Sequence, residues 1–505
     1  MSISITTPAS LSAAASPETW FRRGLWIVSF LTAAAILVSC GIMLWAQNEF
    51  SAAESVVAAQ ALMLERSGTL YYDLNHYPYT VAGYMPIFYW LEAGFIWLGA
   101  PAFVSGRIVT MSAFLVLLTT CWRLAVLYTE NRMIAWIATL LVACSPLMFL
   151  WSVVAQVDIL AISFATLAFY HFSRYYVRGE LALSRAALFS LLGLFTKQTM
   201  IAVPAAIVLS LILLGDRKKA LLFTVVVAGG GGALVLALNG ALHGRLLQNT
   251  VQANMNPLSG WKLMAQLQYA GMLSGCLLLI VILSFRRLCS GRSRALCIYA
   301  ACTAVLFLVT SGKVGSDTNY QLEMTVALAL CAAVGLHRLD FLPLYFAGSK
   351  RWVTLLLLPL AIHVVNGYRT LPNLLTSRVA GEQFARAQLE ELRPYVQPAG
   401  GLVFSSDYSS MVRLRQRLDV EPLIYGLLVR AGAVDPEPVR QDLIRGAFST
   451  VILTEDVSEA SQTSFLEFII LPESQREAMR QHYRLVKHIP GPFQHELFVY
   501  QPAGS

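Results

Sequence analysis

The sequence predicts a polytopic α-helical membrane protein of about eleven spans, followed by a small α/β domain outside the membrane. The first observation is composition, because 56% of the 505 residues are hydrophobic and only 13% are charged. The second is a series of apolar stretches separated by short basic loops. The third is a change past Arg369 to the composition of an ordinary soluble protein.

The distribution of positive charge predicts the orientation. We expect residues 1–20, which are rich in Ser, Thr and Ala, to be a disordered cytoplasmic N-terminus. Alternate loops carry 17 Lys and Arg residues on one side and 6 on the other. Basic loops stay in the cytoplasm, so the N-terminus lies inside. An odd number of spans then places the C-terminal domain outside, and we expect a multi-pass protein of a bacterial cytoplasmic membrane.

The spans form a predicted catalytic membrane domain over residues 21–369, with a long first outer loop over 47–103. They are predicted at 24–46, 104–127, 133–153, 157–175, 185–197, 199–215, 220–242, 267–285, 295–311, 321–339 and 351–368. The apolar segment Met85–Gly99 is predicted to be re-entrant or interfacial, because one more crossing would turn the later basic clusters outward.

Residues 370–505 form the predicted extracytoplasmic α/β domain. A polar helix is expected over 381–392, and strands over 401–405, 450–454, 483–489 and 496–500. The net charge is −2 from Tyr368 onward and +10 before it. The basic excess therefore belongs to the membrane loops, and nucleic acid is excluded as a partner. The eight cysteines lie in apolar segments or short basic loops and suggest neither a disulfide framework nor a zinc site.

Three acidic residues near predicted outer ends of spans are candidate catalytic groups. Glu49 and Glu54 open the first outer loop, and Asp158 begins the fourth span. Carboxylates beside apolar helices are costly, which favours a functional role. The alternative is that they cap helices or match helix dipoles. Glu65, Asp73 and Glu92 are interpreted as solvated loop residues.

Three cations face the same side and are candidate phosphate ligands. Lys197 interrupts the apolar turn between the fifth and sixth spans, and Arg107 and Lys313 lie in other outer segments. A lysine at that depth needs an anionic partner. The sequence leaves open whether that partner is Asp158 or a ligand phosphate.

Polar and aromatic residues complete the outer face. The loop before Glu323 contains Asn319 and Tyr320 at a helix start, where backbone N–H groups can meet an anion. A plain turn capped by Asp317 or Thr318 explains the same residues. The aromatic first outer loop is interpreted mainly as a lid over a reaction centre and secondarily as a membrane-surface anchor.

Taken together, these short motifs resemble the GT-C superfamily of polytopic glycosyltransferases, which includes protein O-mannosyltransferases and the lipid A aminoarabinose transferase. The segments that carry the resemblance are Gly68–Asp73, Tyr84–Tyr89, Val157–Leu160, Phe195–Thr199 and Gly315–Tyr320. The resemblance implies sugar transfer from a polyprenyl-phosphate donor to a glycan, lipid or protein acceptor at the outer membrane face. Membrane lipids are the other expected partners.

The resemblance also implies residue roles. The family's catalytic acid lies early in the first outer loop, where Glu49 stands. Many members have Asp or Asp-Glu where this chain has Asn48-Glu49, so Glu54 also remains a candidate base. A divalent cation is possible and no other cofactor is implied. The expected substrate-binding residues are Tyr72, His76, Tyr77, Tyr84, Gln198, Asn319 and Tyr320.

Two other classes of function compete with this interpretation. A transporter or flippase of lipid-linked sugars predicts acids and broken helices near the midplane together with inverted repeats. The acids here gather at outer ends instead, and the two halves show no repeat. A non-catalytic scaffold with a partner-binding tail is the third class.

Overall fold

The structure is a computed structural model that describes residues 16–347, 355–396, 402–457, 472–491 and 496–504. Its helices follow in chain order. They are α1 Pro17–Trp45, α2 Ala52–Ser67, α3 Ile87–Trp97, α4 Ala102–Thr129, α5 Arg132–Ala143, α6 Pro146–Trp151, α7 Val157–Arg178, α8 Leu183–Leu194, α9 Ala202–Leu213, α10 Arg217–Thr224, α11 Gly231–Ala241, α12 Arg245–Thr250, α13 Gly260–Leu288, α14 Arg294–Thr310, α15 Leu322–Arg338, α16 Phe341–Phe346, α17 Leu357–Val396, α18 Tyr408–Arg413, α19 Pro422–Arg430, α20 Glu437–Ile444 and α21 Glu473–His482.

The helices confirm the predicted fold class of a polytopic membrane protein. Within the described residues, six helical segments are long and apolar enough to cross a membrane: Pro17–Trp45, Ala102–Thr129, Arg217–Ala241, Gly260–Leu288, Gly291–Thr310 and Thr318–Arg338. The described parts of the other predicted spans also fall on helices, several of them shorter. Residues 351–354 of the last predicted span lie outside the described residues. The number of crossings and their orientation stay predictions.

Two predicted boundaries differ from the structure. The first helix begins at Pro17, with the Ser16 hydroxyl accepting a bond from the Thr19 N–H, so the predicted disorder of 1–20 is wrong from that point on. Residues 1–15 lie outside the described residues. The predicted span 133–153 is divided into α5 and α6 at Pro146, since proline has no N–H to continue a helix.

Helix α15 forms the centre of the membrane bundle. Every residue from Leu322 to Leu336 is buried, and α4, α5, α13 and α14 pack around it. Small residues such as Ala329, Ala333 and Gly335 let these neighbours approach closely, which is how helices associate in a bilayer. The outer end of α15 is therefore held firmly where it meets the loop containing Asn319.

A single helix joins the membrane bundle to the soluble domain. Helix α17 has 40 residues and passes through Pro372, and at 1.5 Å per residue it is about 60 Å long. That is about twice the thickness of the hydrocarbon core. The predicted division between residues 369 and 370 falls inside this helix.

The soluble domain contains the four predicted strands in one sheet. They are β1 Leu402–Ser405, β2 Phe448–Leu453, β3 Tyr483–Ile489 and β4 Leu497–Pro502. Their order is β1-β2-β4-β3, with β1 and β2 parallel and the other two pairs antiparallel. Helices pack beside the sheet, which confirms a small α/β domain.

The first outer loop packs into this soluble domain. The Tyr79 N–H donates to the Asp419 carbonyl at 2.8 Å, and the Glu421 N–H donates to the Tyr79 carbonyl at 2.8 Å. The Tyr79 ring contacts Tyr425, and both side chains belong to one buried cluster with Phe404. The loop is therefore a connection between the two parts of the molecule, a role that the lid and anchor interpretations did not include.

Candidate active site

Helix α17 fixes the turn that follows α1. The buried Glu382 carboxylate accepts the Gln47 N–H at 2.9 Å and the Asn48 N–H at 2.8 Å. The Arg378 guanidinium donates to the Glu49 carbonyl and lies over the Phe50 ring. Both anchors come from one face of α17, since they are four residues apart. They set the backbone position from which the Glu49 side chain extends.

Glu49 is half-buried where the membrane bundle meets the soluble domain. Its carboxylate accepts a hydrogen bond from the Ser55 hydroxyl, and its N–H donates to the Ser409 hydroxyl at 3.2 Å. Burial raises the pKa of Glu49 to about 7, with the Ser55 hydrogen bond opposing that rise and the nearby Asp407 charge adding to it. A carboxylate with a pKa near the working pH is suited to accept a proton.

Glu54 and Arg107 form a closed ion pair, and both side chains are fully buried. Arg107 donates to both Glu54 oxygens at 2.8 Å and to the carbonyls of Met43, Ala46 and Asn48. These bonds use all five N–H groups of a guanidinium. Glu54 also accepts the N–H groups of Phe50 at 2.7 Å and Ala155 at 2.8 Å.

This closure changes the interpretation of both residues. Arg107 has no free N–H group for the predicted phosphate contact. Glu54 has no exposed oxygen for the predicted catalytic role. We therefore assign the pair to holding the turn after α1 against α4 and against the segment before α7.

Glu92 corrects another prediction. It is fully buried in α3, so its interpretation as a solvated loop residue is wrong. A Cβ on Gly106 would lie 2.7 Å from its Oε1 atom, which places Glu92 tightly against α4. Among the described residues neither of its carboxylate oxygens has a hydrogen-bond partner. The sequence reasoning failed because Glu92 lies on the one face of α3 that packs against α2 and α4, whereas Trp90 and Leu91 on the other face are exposed.

Asp158 and Lys197 lie together, as one of the two interpretations of Lys197 predicted. The Lys197 Nζ atom is 2.6 Å from an Asp158 oxygen, and Asn319 donates to the other oxygen at 3.1 Å. Both charged side chains are almost fully buried. Three separate segments of the chain thus meet at the start of α7.

Two tyrosine rings cover the Lys197 ammonium group. The Nζ atom is 4.8 Å from the centre of the Tyr320 ring and 5.8 Å from that of Tyr84. Gln198 donates to the carbonyls of Gly83 at 2.8 Å and Thr250 at 2.9 Å, which ties the first outer loop to the turn after α8. Predicted ligands Tyr84, Gln198, Asn319 and Tyr320 therefore all lie around Lys197.

Lys313 adds a second positive charge to this group. It is half-buried in the loop before α15. Burial, followed by the positive charge of Lys197, lowers the pKa of Lys313. A bound anion would relieve the repulsion between these two partly buried positive charges.

A small cavity opens beside this group and extends along α14 and α15. Its lining includes Asp158, Lys197, Asn319 and Tyr320, and deeper in the bundle Glu323. Glu49 does not line this cavity. The structure therefore places Lys197 and Lys313 near Asp158. It puts Glu49 at a second place together with Arg107, and Glu54 connects the two through its bond from the Ala155 N–H.

The remaining predicted ligands lie farther along the first outer loop. The Tyr72 hydroxyl pairs with Ser67 at 2.7 Å, and His76 is exposed. Tyr77 donates to Asp442 of the soluble domain at 3.0 Å. Tyr77 thus contacts the sheet domain and none of the cavity residues, and its predicted role in substrate binding has no support in this position.

Several residues that position the candidate groups escaped the sequence reasoning. Arg378, Glu382 and Arg386 repeat at intervals of four just beyond the last predicted span, and this charged stripe is the signal that was available. Ser409 and Asp407 gave no comparable signal. Among the described residues, no group of three or more His, Cys, Asp or Glu side chains is arranged to hold a metal ion.

Part of the chain matches one protein-family model. Residues 82–240 match the family model described as dolichyl-phosphate-mannose-protein mannosyltransferase. No curated protein matches the chain by sequence.

Solved structures extend the likeness to the whole fold. ArnT from Cupriavidus metallidurans bound to undecaprenyl phosphate is similar with a TM-score of 0.63 and 14% identity, over 95% of this chain and 98% of that one. The apo state of the same protein gives 0.61 and 14%, with the same coverage. The oligosaccharyltransferase AglB from Archaeoglobus fulgidus, in complex with an inhibitory peptide and a dolichol-phosphate, gives 0.54 and 13%, over 94% of this chain and 74% of that one. The resemblance to GT-C glycosyltransferases is confirmed over residues 82–240 by the family model, and the chain as a whole has the fold of ArnT and AglB.

Proposed function

We propose that this protein transfers a sugar from a polyprenyl-phosphate-linked donor to an acceptor at the outer face of a bacterial cytoplasmic membrane. The donor class is supported by two similar structures that hold undecaprenyl phosphate and a dolichol-phosphate. The orientation is supported by the asymmetry of the basic loops.

The arrangement around Lys197 carries the proposal. The leaving group of such a donor is a phosphate attached to a lipid, so its charge must be stabilised at the membrane surface. Lys197 and Lys313 supply two positive charges, and Asp158 holds the Lys197 ammonium group at 2.6 Å. The Tyr84 and Tyr320 rings exclude water from it. Asp158 thus acts as a positioning residue.

Glu49 is the proposed general base. The acceptor hydroxyl gives its proton to the Glu49 carboxylate while its oxygen bonds to the anomeric carbon of the sugar. The bond between that carbon and the phosphate oxygen breaks, and its electron pair leaves with the phosphate. Its raised pKa of about 7 makes Glu49 a stronger base than an ordinary glutamate.

Turnover of defined donors tests this proposal. The purified full chain is incubated with a panel of polyprenyl-phosphate sugars and candidate acceptors, and release of the carrier phosphate is followed. Glu49→Gln should abolish transfer and leave donor binding unchanged, whereas Lys197→Met should weaken donor binding. Asp73→Asn, which removes an acid from the same outer loop, is the matched control and should remain active. Full turnover by Glu49→Gln would remove Glu49 from the role of base.

A further inference from the structure

A second cavity lies at the opposite end of α1 from Glu49. It has a volume of about 570 Å³ and is formed by the first turns of α1, the link between α4 and α5, and α16. Ser29 is the last residue of α1 that lines this cavity, and Trp45 lies 16 positions farther along the helix. At 1.5 Å per residue that is about 24 Å, so this cavity is separate from the candidate active site.

The walls of the cavity have the composition of a membrane–water interface. Trp26 and Trp136 line it with their ring centres 5.8 Å apart, and they are 67% and 39% exposed. Exposed tryptophans concentrate at the level of lipid headgroups, where the apolar ring meets acyl chains and the N–H meets water. Leu25, Met133 and Phe346 add apolar surface. The apolar lining can therefore pack against the part of the lipid acyl chains nearest the headgroup.

The charges at the cavity are balanced, with two Arg and two Glu residues in its lining. Arg22 and Glu18 satisfy each other at 2.6 Å. Glu130 and Arg132 are exposed, and neither has an ion-pair partner within the described ranges. They stand two residues apart in a tight link. Glu130 has a φ of 53°, and the Asn131 side chain caps α5 by accepting from Met133 and Ile134. One acid and one base are thus held beside the same apolar hollow.

We propose that this cavity binds a zwitterionic phospholipid with a phosphoethanolamine headgroup. The lipid phosphate accepts hydrogen bonds from Arg132, and the primary ammonium group of the ethanolamine donates to Glu130. A singly anionic headgroup offers Glu130 no partner and is repelled by it. A phosphocholine headgroup carries the positive charge but has no N–H to donate. The acyl chains lie against Trp26, Trp136 and Phe346. This site does not depend on the proposed glycosyl transfer.

Lipid titration of the delipidated full chain tests the proposal. Native mass spectrometry measures binding of phosphatidylethanolamine, phosphatidylglycerol and phosphatidylcholine with identical acyl chains. The first of these should bind the unaltered chain most tightly. Glu130→Gln should lower the affinity for phosphatidylethanolamine about threefold to fivefold and should not lower the affinity for phosphatidylglycerol. Arg132→Gln should lower the affinity for both lipids. Effects of this size are expected for partly exposed charge pairs.

Matched controls separate this site from general charge effects. Arg123→Gln removes an exposed base of α4, and Asp340→Asn removes an exposed acid just before α16, and neither residue lines the cavity. Both controls should bind all three lipids as the unaltered chain does. Equal affinity for the three lipids, tighter binding of phosphatidylglycerol, or unchanged binding by both Glu130→Gln and Arg132→Gln would overturn the proposal. Thermal unfolding of each variant in detergent shows that the fold is kept.

Discussion

At the scale of residues, the surroundings of Glu49 set its basicity more than its being a glutamate does. Burial is the main cause of its raised pKa, and the Ser55 hydroxyl opposes that rise by bonding to the ionised form. A base must be deprotonated to act, so transfer should rise with pH through the region near 7. The position of that rise reports directly on the groups around Glu49.

Removing the Ser55 hydroxyl should shift the pH dependence of transfer in a direction that can be predicted. In Ser55→Ala the Glu49 carboxylate loses a bond that lowers its pKa, so the ascending limb of kcat/KM against pH should move to higher pH. Ser51→Ala is the matched control, because the Ser51 hydroxyl has no hydrogen-bond partner in the described part of the chain. Its profile should stay in place. A limb that moves to lower pH in Ser55→Ala would contradict the assignment.

The Glu54–Arg107 pair makes a prediction about stability. Arg107→Met leaves a buried carboxylate without its partner and should lower the free energy of unfolding by about 3–5 kcal/mol. The double variant Glu54→Leu/Arg107→Met should recover part of that loss, since no uncompensated charge remains. Thermal unfolding in detergent measures both. Arg415→Met, which breaks a more exposed pair with Glu65, should cost less than about 1 kcal/mol.

Sequence reasoning succeeded for residues whose chemistry demands a partner. Lys197 in an apolar turn requires an anion, and the sequence offers Asp158 as one of two candidates for it. Arg107 obeys the same rule, yet its partner Glu54 was not identified, because loop 47–103 has no periodicity that fixes which acid folds inward. The interpretation of Glu92 is wrong for a related reason, since an acid in the middle of a short apolar helix can face either water or a packed interior.

At the scale of elements, α17 is the support of the turn that carries Glu49. It presents Arg378 and Glu382 to the Gln47–Glu49 backbone, and it continues without interruption from the bundle into the soluble domain. Hydropathy located the change in solvent along this helix, at Arg369. It did not reveal that the helix continues, because apolar and polar segments of one helix differ in composition and not in backbone geometry.

A change in Glu382 tests this support. In Glu382→Gln one carboxylate oxygen becomes an NH₂ group, which donates and cannot accept. The one remaining oxygen cannot serve both the two backbone N–H groups and the Arg386 and Arg413 guanidinium groups, so the turn before Glu49 should loosen. We expect kcat to fall about tenfold to a hundredfold with little change in the KM for the donor, since small displacements of a reacting group are costly. Glu390→Gln, on an exposed part of the same helix, is the control and should behave as the unaltered chain does. An equal loss in both variants would contradict a positioning role.

The strands show the opposite case, in which local pattern was sufficient. Short apolar runs bounded by turn residues predicted β1 to β4 with errors of one or two residues. Their order in the sheet, and the parallel pairing of β1 with β2, depend on contacts between distant segments. Such contacts leave no local signal.

At the scale of the whole molecule, the first outer loop couples the two parts of the chain. Its Tyr79 backbone pairs with Asp419 and Glu421 of the soluble domain, and its Tyr84 ring covers Lys197 in the bundle. Only five residues separate these two contacts. We therefore expect movement of the soluble domain to be transmitted to Tyr84, which covers the proposed phosphate ligand Lys197.

Loss of the Tyr79 ring tests this coupling. Tyr79→Ala removes buried contacts with Tyr77 and Tyr425, and deleting a buried aromatic side chain costs about 3–5 kcal/mol. Amide hydrogen exchange over residues 70–84 should become faster, and donor turnover should fall with it. Tyr269→Ala, which removes an exposed ring from α13, should change neither. Unchanged exchange in the loop of Tyr79→Ala would contradict the coupling.

The length of α17 has a consequence for how the protein can be dissected. A chain truncated after residue 369, where the composition changes, would lose Arg378 and Glu382 along with the sheet. Any inactivity of that fragment would then say nothing about the sheet itself. The membrane bundle and the sheet domain share one continuous helix, so the role of the sheet domain is better studied by substitutions on its surface than by truncation.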